Sequence, residues 1–281
     1  MKGTKISSDA SAVVTGAGSG IGRAFALELH RRGGRVVCSD INIGTAEETA
    51  CMINDEGGSA TAVACDVASL EQVQKLAEAA RDWFGGAATL LVNNAGVGVG
   101  GQNLEEISME DWHWIMGINL WGVIHGCHVF VPEMKARGVG GVINVASAAS
   151  FGAAPRMGAY NATKSAVVAL SETLHAEVSG TGIHVTALCP TLVKTDVIKN
   201  SRLLNGNGQS KASLMAKDRA QALMDRFGHS PESVAKKTLK GLDQNQMYVL
   251  PQLDARVAWL LKRLTPGNFV RFNGLMKHQL Q

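Results

Sequence analysis

The stretch Thr15-Gly16-Ala17-Gly18-Ser19-Gly20-Ile21-Gly22 decides how this chain folds. The apolar run Ala12–Thr15 precedes it, and a helical pattern that begins with Arg23, Ala24 and Phe25 follows it. Glycines between a strand and a helix permit a tight turn and let a phosphate group approach the backbone. The amides and the dipole of the helix N-terminus then stabilise the negative charge. We therefore predict a strand, a phosphate-binding turn and a helix.

A carboxylate ends the second strand-like segment. Asp40 lies 24 positions after Gly16, where an acidic residue accepts hydrogen bonds from the hydroxyls of an adenosine ribose and repels a 2′-phosphate. Residues 41–43 carry no positive charge, and Ser19 adds none inside the turn. We therefore expect NAD to be bound in preference to NADP, and we interpret Arg23, the nearest cation, as a solvated helix residue.

Seven short apolar runs alternate with longer helical segments. Each run is too short for a helix and is apolar almost throughout, which is typical of strands buried on both faces of a parallel sheet. Their order predicts an α/β fold of the Rossmann type, a doubly wound parallel sheet of about seven strands with helices on both faces. The runs are Ala12–Thr15, Arg35–Ser39, Ala60–Cys65, Thr89–Val92, Val142–Val145, Ile183–Leu188 and Met247–Leu250.

Two segments break this rhythm within what we expect to be one domain, residues 1–281. Residues 191–229 include a Gly- and Asn-rich part without a hydrophobic period, and a long irregular insertion of this kind is usually a lid, a binding loop or a disordered segment. Of these we expect a substrate lid. Residues 252–281 form a basic C-terminal extension.

The composition excludes several classes of protein. Of 281 residues, 46% are hydrophobic and 18% charged, which is incompatible with a disordered or collagen-like chain. No apolar run reaches the roughly 18 residues that span a bilayer, and no apolar stretch precedes Ser11, so we expect a cytoplasmic protein. The five cysteines are scattered and the histidines lack HExxH spacing, so we expect no metal site.

The spacing TGxxxGxG of the glycine-rich turn resembles the classical short-chain dehydrogenase/reductase family. Further motifs of that family follow in order up to about residue 196, which makes the resemblance specific. One position departs from the pattern, because Pro190-Thr191 stands where the family has Pro-Gly. The matching positions are Asp66-Val67, Asn93-Asn94-Ala95-Gly96, Asn119, Ser147, and Tyr160 with Lys164 in the pattern YxxxK.

The resemblance implies an oxidoreductase with four catalytic residues. Tyr160 exchanges a proton with the alcohol or carbonyl, and Ser147 hydrogen-bonds the substrate oxygen. Lys164 binds the nicotinamide ribose, and Asn119 positions a water that links Lys164 to solvent. Tyr160 and Lys164 are four residues apart and share a helix face, so we expect the ammonium and the oxidised nicotinamide to lower the pKa of the tyrosine.

The same resemblance implies the residues that contact NAD. Asp66 hydrogen-bonds the adenine amino group, and Val67 contacts the adenine through its backbone. Val193 and Thr195 contact the nicotinamide carboxamide, while the geometry at Thr191 is left open. The expected cofactor-binding residues are Gly16, Ser19, Gly20, Ile21, Asp40, Asp66, Val67, Asn93, Ala95, Tyr160, Lys164, Pro190, Val193 and Thr195.

Apolar residues flank the expected catalytic positions. We therefore expect the substrate to be an apolar secondary alcohol or its ketone. The alternative is an NAD-binding regulatory or scaffolding protein of the same fold without turnover. The flanking residues are Ala148, Ala149, Phe151, Ala153, Ala154 and Met157, with Leu192, Leu203, Leu204, Leu214 and Met215 from the lid.

Charge is divided unevenly along the chain. Residues 1–198 carry a net charge of −6 and residues 199–281 one of +9, although the total is only +3. Basic and aromatic residues are not interleaved in the core, so we expect no nucleic-acid partner. The resemblance implies a homodimer or homotetramer, and the helix with Trp112, Trp114 and Trp121 packs on the sheet or on another subunit. The basic tail either packs on a neighbouring subunit or makes weak contact with an anionic membrane surface.

Overall fold

The computed structural model describes residues 5–195, 202–203, 218, 221–222 and 224–276. Seven strands form one sheet in the order β3-β2-β1-β4-β6-β7-β9, and every neighbouring pair is parallel. They match the seven apolar runs, so the predicted sheet is confirmed. The strands are β1 (Ser11–Thr15), β2 (Arg35–Asp40), β3 (Ala60–Ala64), β4 (Leu90–Asn93), β5 (Val99–Gly100), β6 (Gly140–Val145), β7 (Ile183–Leu188), β8 (Arg202–Leu203) and β9 (Tyr248–Val249).

Helices connect the strands and cover both faces of the sheet. A short 3₁₀ turn, Leu104–Glu106, precedes α4, and one π-helical turn, Gly117–Trp121, joins α4 to α5. The α-helices are α1 (Gly20–Arg31), α2 (Ile43–Asp55), α3 (Leu70–Phe84), α4 (Met109–Met116), α5 (Gly122–Arg137), α6 (Ala149–Gly152), α7 (Gly158–Glu177), α8 (Pro231–Asp243), α9 (Leu253–Leu264) and α10 (Pro266–Met276).

The core lies on both sides of the sheet because successive strand residues point to opposite faces. Val14 of β1 belongs to the cluster formed with α1, α2 and α8, whereas Val13 belongs to the cluster formed with α3, α5 and α7. Both side chains are fully buried. This explains why the strands are apolar throughout instead of alternating.

The continuous helix Met109–Arg137 has the length and apolar composition to cross a membrane, although 39% of its most apolar window is buried inside the molecule. The sequence analysis found no apolar run long enough to span a bilayer and did not single out this helix. Contacts of this helix with α3 and α7 indicate a core helix, while the indole of Trp121 is half exposed on its outer side.

The expected lid leaves and re-enters the fold at one narrow point, which we call the neck. Lys194 N donates to His229 O (3.0 Å), and His229 N donates to Leu192 O (3.0 Å). Within the insertion, β8 pairs with β5 in a second, two-stranded sheet that the sequence analysis missed, because two-residue strands show no periodicity. Residues 221–222 and 224–227 are helical, whereas Leu204, Leu214 and Met215 lie outside the described residues.

The described part of the C-terminal extension forms α9 and α10. Trp259 of α9 packs against Tyr248, with 5.8 Å between ring centroids, and Arg263 Nη2 donates to the Tyr248 hydroxyl (3.1 Å). The opposite side of α9 is an exposed apolar row that we call the outer stripe. It consists of Leu253, Val257, Leu260, Leu261 and Leu264.

Candidate active site

The glycine-rich turn has the geometry of a phosphate cradle. Gly16 and Gly20 have φ angles of +63° and +52°, which favour glycine, and a Cβ on Gly16 would lie 2.9 Å from the Cα of Ala95. Ser19 caps α1 without a side-chain hydrogen bond, and the first amides of a helix have no intrahelical acceptor. The open amides and the close backbone approach fit the pyrophosphate of NAD.

Asp40 stands beside this turn, as expected, and also supports it. Its Oδ2 accepts a hydrogen bond from Gly18 N (3.0 Å), and its Oδ1 accepts one from Asn42 N (3.0 Å). A Cβ on Gly18 would lie 2.9 Å from Oδ2, so the carboxylate holds the backbone closely. This position suits a carboxylate that reads ribose hydroxyls.

Arg23 is not the solvated side chain that the sequence analysis expects. Its guanidinium donates to Gly18 O, to Thr49 Oγ1 (2.9 Å) and to Glu48 Oε2 (3.0 Å). That interpretation was therefore wrong, because the long side chain folds back onto the turn. The pairing with Glu48 compensates the positive charge of Arg23.

The expected adenine-side residues lie at the carboxyl ends of β3 and β4. Asp66 Oδ1 accepts a hydrogen bond from Ala68 N (3.0 Å), and Val67 O lies 2.9 Å from His125 Nδ1. Ala95 N donates to Thr15 Oγ1 (3.1 Å), which joins the end of β4 to the glycine-rich turn.

The side chain of Asn93 points into the core, and the expected contact of this residue with the cofactor stays a prediction for its backbone. Its Nδ2 donates to Asn144 Oδ1 (2.9 Å), and Asn144 Nδ2 donates to Ser171 Oγ (2.9 Å). A Cβ on Gly126 would lie 2.1 Å from Asn93 Oδ1, so α5 covers the asparagine closely. Only the backbone of Asn93 remains available to border a cofactor.

The four expected catalytic residues come together at the carboxyl ends of β4 and β6. α7 supplies Tyr160 and Lys164, and Ser147, which follows β6, lies close enough to the Tyr160 hydroxyl to influence its pKa. Lys164 is buried, its Nζ donates to Val145 O (2.8 Å) and lies 5.9 Å from the centroid of the Tyr160 ring.

Asn119 lies in the π-helical turn, a distortion that often occurs at functional sites. Its Nδ2 donates to Val97 O (2.9 Å), and its Oδ1 accepts from Val97 N (2.8 Å). A Cβ on Gly96 would lie 3.2 Å from Asn119 Oδ1 and 3.4 Å from Lys164 Nζ. Both polar groups therefore converge on Gly96, where a larger residue would crowd Asn119 Oδ1.

The protein groups around Tyr160 raise its pKa, so the expected lowering by Lys164 alone is wrong, while the lowering expected from oxidised nicotinamide stays a prediction. Burial is the main cause, because a phenolate would lose its hydration, and the hydrogen bond with Ser147 offsets only part of it. Burial also lowers the pKa of Lys164 to about 8. The lysine is thus a weaker source of positive charge than the sequence suggested.

Cys189 is a neighbour of Lys164 to which the sequence analysis gives no role in the site. Burial raises the pKa of its thiol to about 12, although Lys164 and the backbone of Ser147 act in the opposite direction. A neutral thiol therefore lies beside the catalytic lysine. Its isolated position in the sequence gave no signal for this.

The loop after β7 runs between the turn and Ser147. Pro190 O accepts a hydrogen bond from Ala148 N (2.8 Å), and a Cβ on Gly20 would lie 3.0 Å from Thr195 Cγ2. Val193 is buried and belongs to the neck. Among the expected nicotinamide-contacting residues, Thr195 therefore faces the glycine-rich turn.

The apolar surroundings of Tyr160 come from α4 as well as from the segment after Ser147. Trp112, Trp114 and Val97 pack on the same cluster as Tyr160, which also contains Ile107 and Ile115. The sequence placed these tryptophans on the sheet or a subunit interface. Phe151 and Met157 lie in the segment that leads to Tyr160, as expected.

Comparison with known proteins agrees with this geometry. Residues 10–205 match the family model described as short chain dehydrogenase. The oxidoreductase SadH of Mycobacterium tuberculosis is 33% identical over 92% of both chains. The 1-deoxy-11-beta-hydroxypentalenate dehydrogenase of Streptomyces exfoliatus is 32% identical over 88% of this chain and 84% of its own. A short chain dehydrogenase/reductase of Burkholderia phymatum, solved in complex with NAD, is 35% identical with a TM-score of 0.83, covering 90% of this chain and 92% of the other.

Proposed function

Because this chain belongs to the short-chain dehydrogenase/reductase family and is an NAD-dependent oxidoreductase, we propose that it interconverts an apolar secondary alcohol and its ketone. In this proposal Tyr160 transfers the proton, with Ser147, Lys164 and Asn119 around it. The observation that carries the proposal is the convergence of Ser147, the Tyr160 hydroxyl and the buried Lys164, whose Nζ lies 5.9 Å from the centroid of the Tyr160 ring.

Each side chain has a distinct task. When bound, NAD would supply the hydride chemistry that interconverts the alcohol and the carbonyl compound. Ser147 holds the substrate oxygen beside the Tyr160 hydroxyl. Tyr160, with a pKa raised by burial, keeps its proton at neutral pH, which suits donation to a carbonyl oxygen.

Lys164 and Asn119 complete the proton path. The Lys164 ammonium orients the nicotinamide ribose and stabilises negative charge on the Tyr160 oxygen. Asn119, fixed by two hydrogen bonds to Val97, holds its Oδ1 near Lys164 Nζ, where it supports a water that exchanges protons with solvent.

The remaining cofactor contacts follow from the same arrangement. Gly16, Ser19, Gly20 and Ile21 hold the pyrophosphate with backbone amides. Asp40 binds the adenosine ribose, Asp66 and Val67 border the adenine, and the backbones of Asn93 and Ala95 line the groove. Pro190, Val193 and Thr195 contact the nicotinamide.

The substrate class rests on the apolar lining. Val97, Trp112, Trp114, Phe151 and Met157 lie around or next to the catalytic side chains. Apolar and aromatic walls bind a hydrocarbon skeleton, and a few polar groups orient its one oxygen. The relative named 1-deoxy-11-beta-hydroxypentalenate dehydrogenase supports a hydroxyl on a larger carbon skeleton.

A substrate panel tests the proposal. Steroid, terpene and aromatic secondary alcohols are incubated with NAD, and the appearance of NADH is followed at 340 nm beside an arm of small sugars and polyols. We expect turnover of bulky apolar alcohols and little of the polyols. Turnover confined to polyols would overturn the substrate class, and NADH binding without turnover of any alcohol or ketone would favour a regulatory protein.

We also propose that the chain works as one dehydrogenase domain in the cytoplasm, as a homodimer or homotetramer. The exposed Trp121 and the outer stripe of α9 are apolar surfaces that suit a neighbouring subunit. Weak contact of the basic tail with an anionic membrane is the alternative for the outer stripe.

A further inference from the structure

We propose that α9 positions the nicotinamide-facing loop through Thr191, Gln252 and Asp254, which we call the Thr191 clamp. These are positioning residues, since they act on the cofactor site through the backbone of Pro190 and Thr191. The inference rests on the proposed function of the site and adds a role for the C-terminal extension in it.

Two hydrogen bonds form the clamp. Thr191 N donates to Gln252 Oε1 (3.2 Å), and Thr191 Oγ1 donates to Asp254 Oδ1 (3.1 Å). Gln252 is only 1% exposed, so its amide is held in one place. Asp254 Oδ1 also accepts from Ala255 N (2.9 Å), which fixes the carboxylate at the first turn of α9.

The second bond exists because threonine stands where glycine is the usual residue. Among the described residues, Asp9, Ala153, Arg156 and Asn245 are the non-glycine residues with positive φ, so Thr191 has an ordinary backbone conformation. The threonine is therefore tolerated without strain, and its hydroxyl reaches the helix.

The clamp holds the loop at Thr191, one residue after its contact with the catalytic segment. Pro190 O accepts from Ala148 N, the residue directly after Ser147. The loop is thus tied to the catalytic segment at Pro190 and to α9 at Thr191.

The anchor of the clamp is itself fixed. Arg256 Nε donates to Leu250 O (2.9 Å), and Lys237 Nζ donates to Pro251 O (3.0 Å). Trp259 packs on the cluster that contains Phe151, one turn after Ser147. α9 therefore presents Gln252 and Asp254 from a defined position.

A comparison of two ligands tests the clamp. NADH and ADP-ribose share the adenosine and the pyrophosphate, but ADP-ribose has no nicotinamide ring. Their dissociation constants are measured by calorimetry for the full chain and for Thr191→Val, Asp254→Ala and the double variant. Thr191→Ser, which keeps the hydroxyl, and Leu253→Ser, at a neighbouring position that is 76% exposed, are the matched controls.

We expect Thr191→Val to raise the ratio of the NADH to the ADP-ribose dissociation constant about tenfold, which corresponds to about 1.4 kcal/mol. Asp254→Ala should raise the ratio by the same factor. The double variant should raise it no further, because the two substitutions remove the same hydrogen bond between Thr191 and Asp254. The two controls leave the ratio unchanged. An unchanged ratio in both single variants, or equal weakening of both ligands, would overturn the clamp. A wild-type chain that binds neither ligand would contradict the cofactor site itself, and the clamp with it.

Discussion

Two loops of this molecule occupy equivalent places but obtain their shapes in different ways. The glycine-rich turn, residues 15–22, joins β1 to α1, and the segment of residues 147–157 joins β6 to α7. In the first loop the left-handed positions are glycines, Gly16 and Gly20. In the second they are Ala153, with φ +46°, and Arg156, with φ +63°. Local residue type thus determines the first loop, whereas tertiary contacts must impose the second.

The contacts that impose the second loop are visible. Gly101 N donates to Arg156 O (2.9 Å), the Arg156 guanidinium donates back to Gly101 O, and Asn161 Nδ2 donates to Ala154 O (2.8 Å). Non-glycine residues at positive φ cost free energy and occur where the surroundings enforce them, often next to active sites. The binding loop is therefore relaxed, and the loop that leads to Tyr160 carries backbone strain.

The largest difference in function between the binding loop and the catalytic end of the second loop should appear when the Tyr160 hydroxyl is removed. Tyr160→Phe should lower kcat by about 10²–10⁴-fold, because a positioned acid or base contributes that much. The dissociation constant of NADH should stay within about twofold, since the glycine-rich turn is untouched. Steady-state rates and fluorescence titration with NADH measure both effects.

Tyr248→Phe is the matched control, because the chain has 2 tyrosines and Tyr248 lies on β9, where its hydroxyl accepts from Arg263. It should keep its turnover. Activity of Tyr160→Phe at the wild-type level would refute the acid–base role.

A methyl group added to the first loop tests its dependence on glycine. Gly16→Ala should lower the free energy of unfolding by about 1–3 kcal/mol and weaken NADH binding at least tenfold, because strain at positive φ is joined by a clash with Ala95. Gly57→Ala is the control, since Gly57 has φ +79° with nothing within 4 Å of its Cβ. It should cost about 1 kcal/mol and leave NADH affinity unchanged. Urea denaturation measures the free energy of unfolding, and titration with NADH measures the affinity. Normal NADH binding by Gly16→Ala would contradict a tightly fitting phosphate cradle.

Replacing an alanine of the second loop by glycine should have the smallest effect, and it should raise the free energy of unfolding rather than lower it. Ala153→Gly relieves the left-handed strain but adds chain entropy to the unfolded state, so we expect a gain of about 0.5 kcal/mol in stability. Ala154→Gly, at a neighbouring position without positive φ, should instead destabilise the protein slightly. A loss of stability in Ala153→Gly as large as in Ala154→Gly would show that the second loop is not strained.

Features that depend on local residue type could be predicted from the sequence. The seven strands and the glycine-rich turn follow from apolar runs and from glycine between a strand and a helix. Tyr160 and Lys164 share a face because helical spacing guarantees it. The side-chain direction of Asn93 could not be predicted, because it depends on which face the last residue of β4 presents. The pKa of Tyr160 depends on burial, which no motif encodes.

Long-range pairings were the other limit. Arg23 folds onto Gly18 and Glu48 by rotamers that the sequence leaves open. Gln252 lies 61 residues from Thr191, and nothing in either segment marks them as partners. The sheet of β5 and β8 joins distant two-residue segments for the same reason.

The neck has a consequence for how enzymes of this design diversify. Because Leu192, Lys194 and His229 close the base of the insertion with their own backbone bonds, the chain between them begins and ends at nearly one point. Lengthening this insertion lowers the stability of the fold only slightly, since the entropy of closing a loop grows only with the logarithm of its length. Evolution or a protein engineer can therefore exchange the segment for one of another length and composition, and the new enzyme keeps its cofactor-binding and catalytic residues in place.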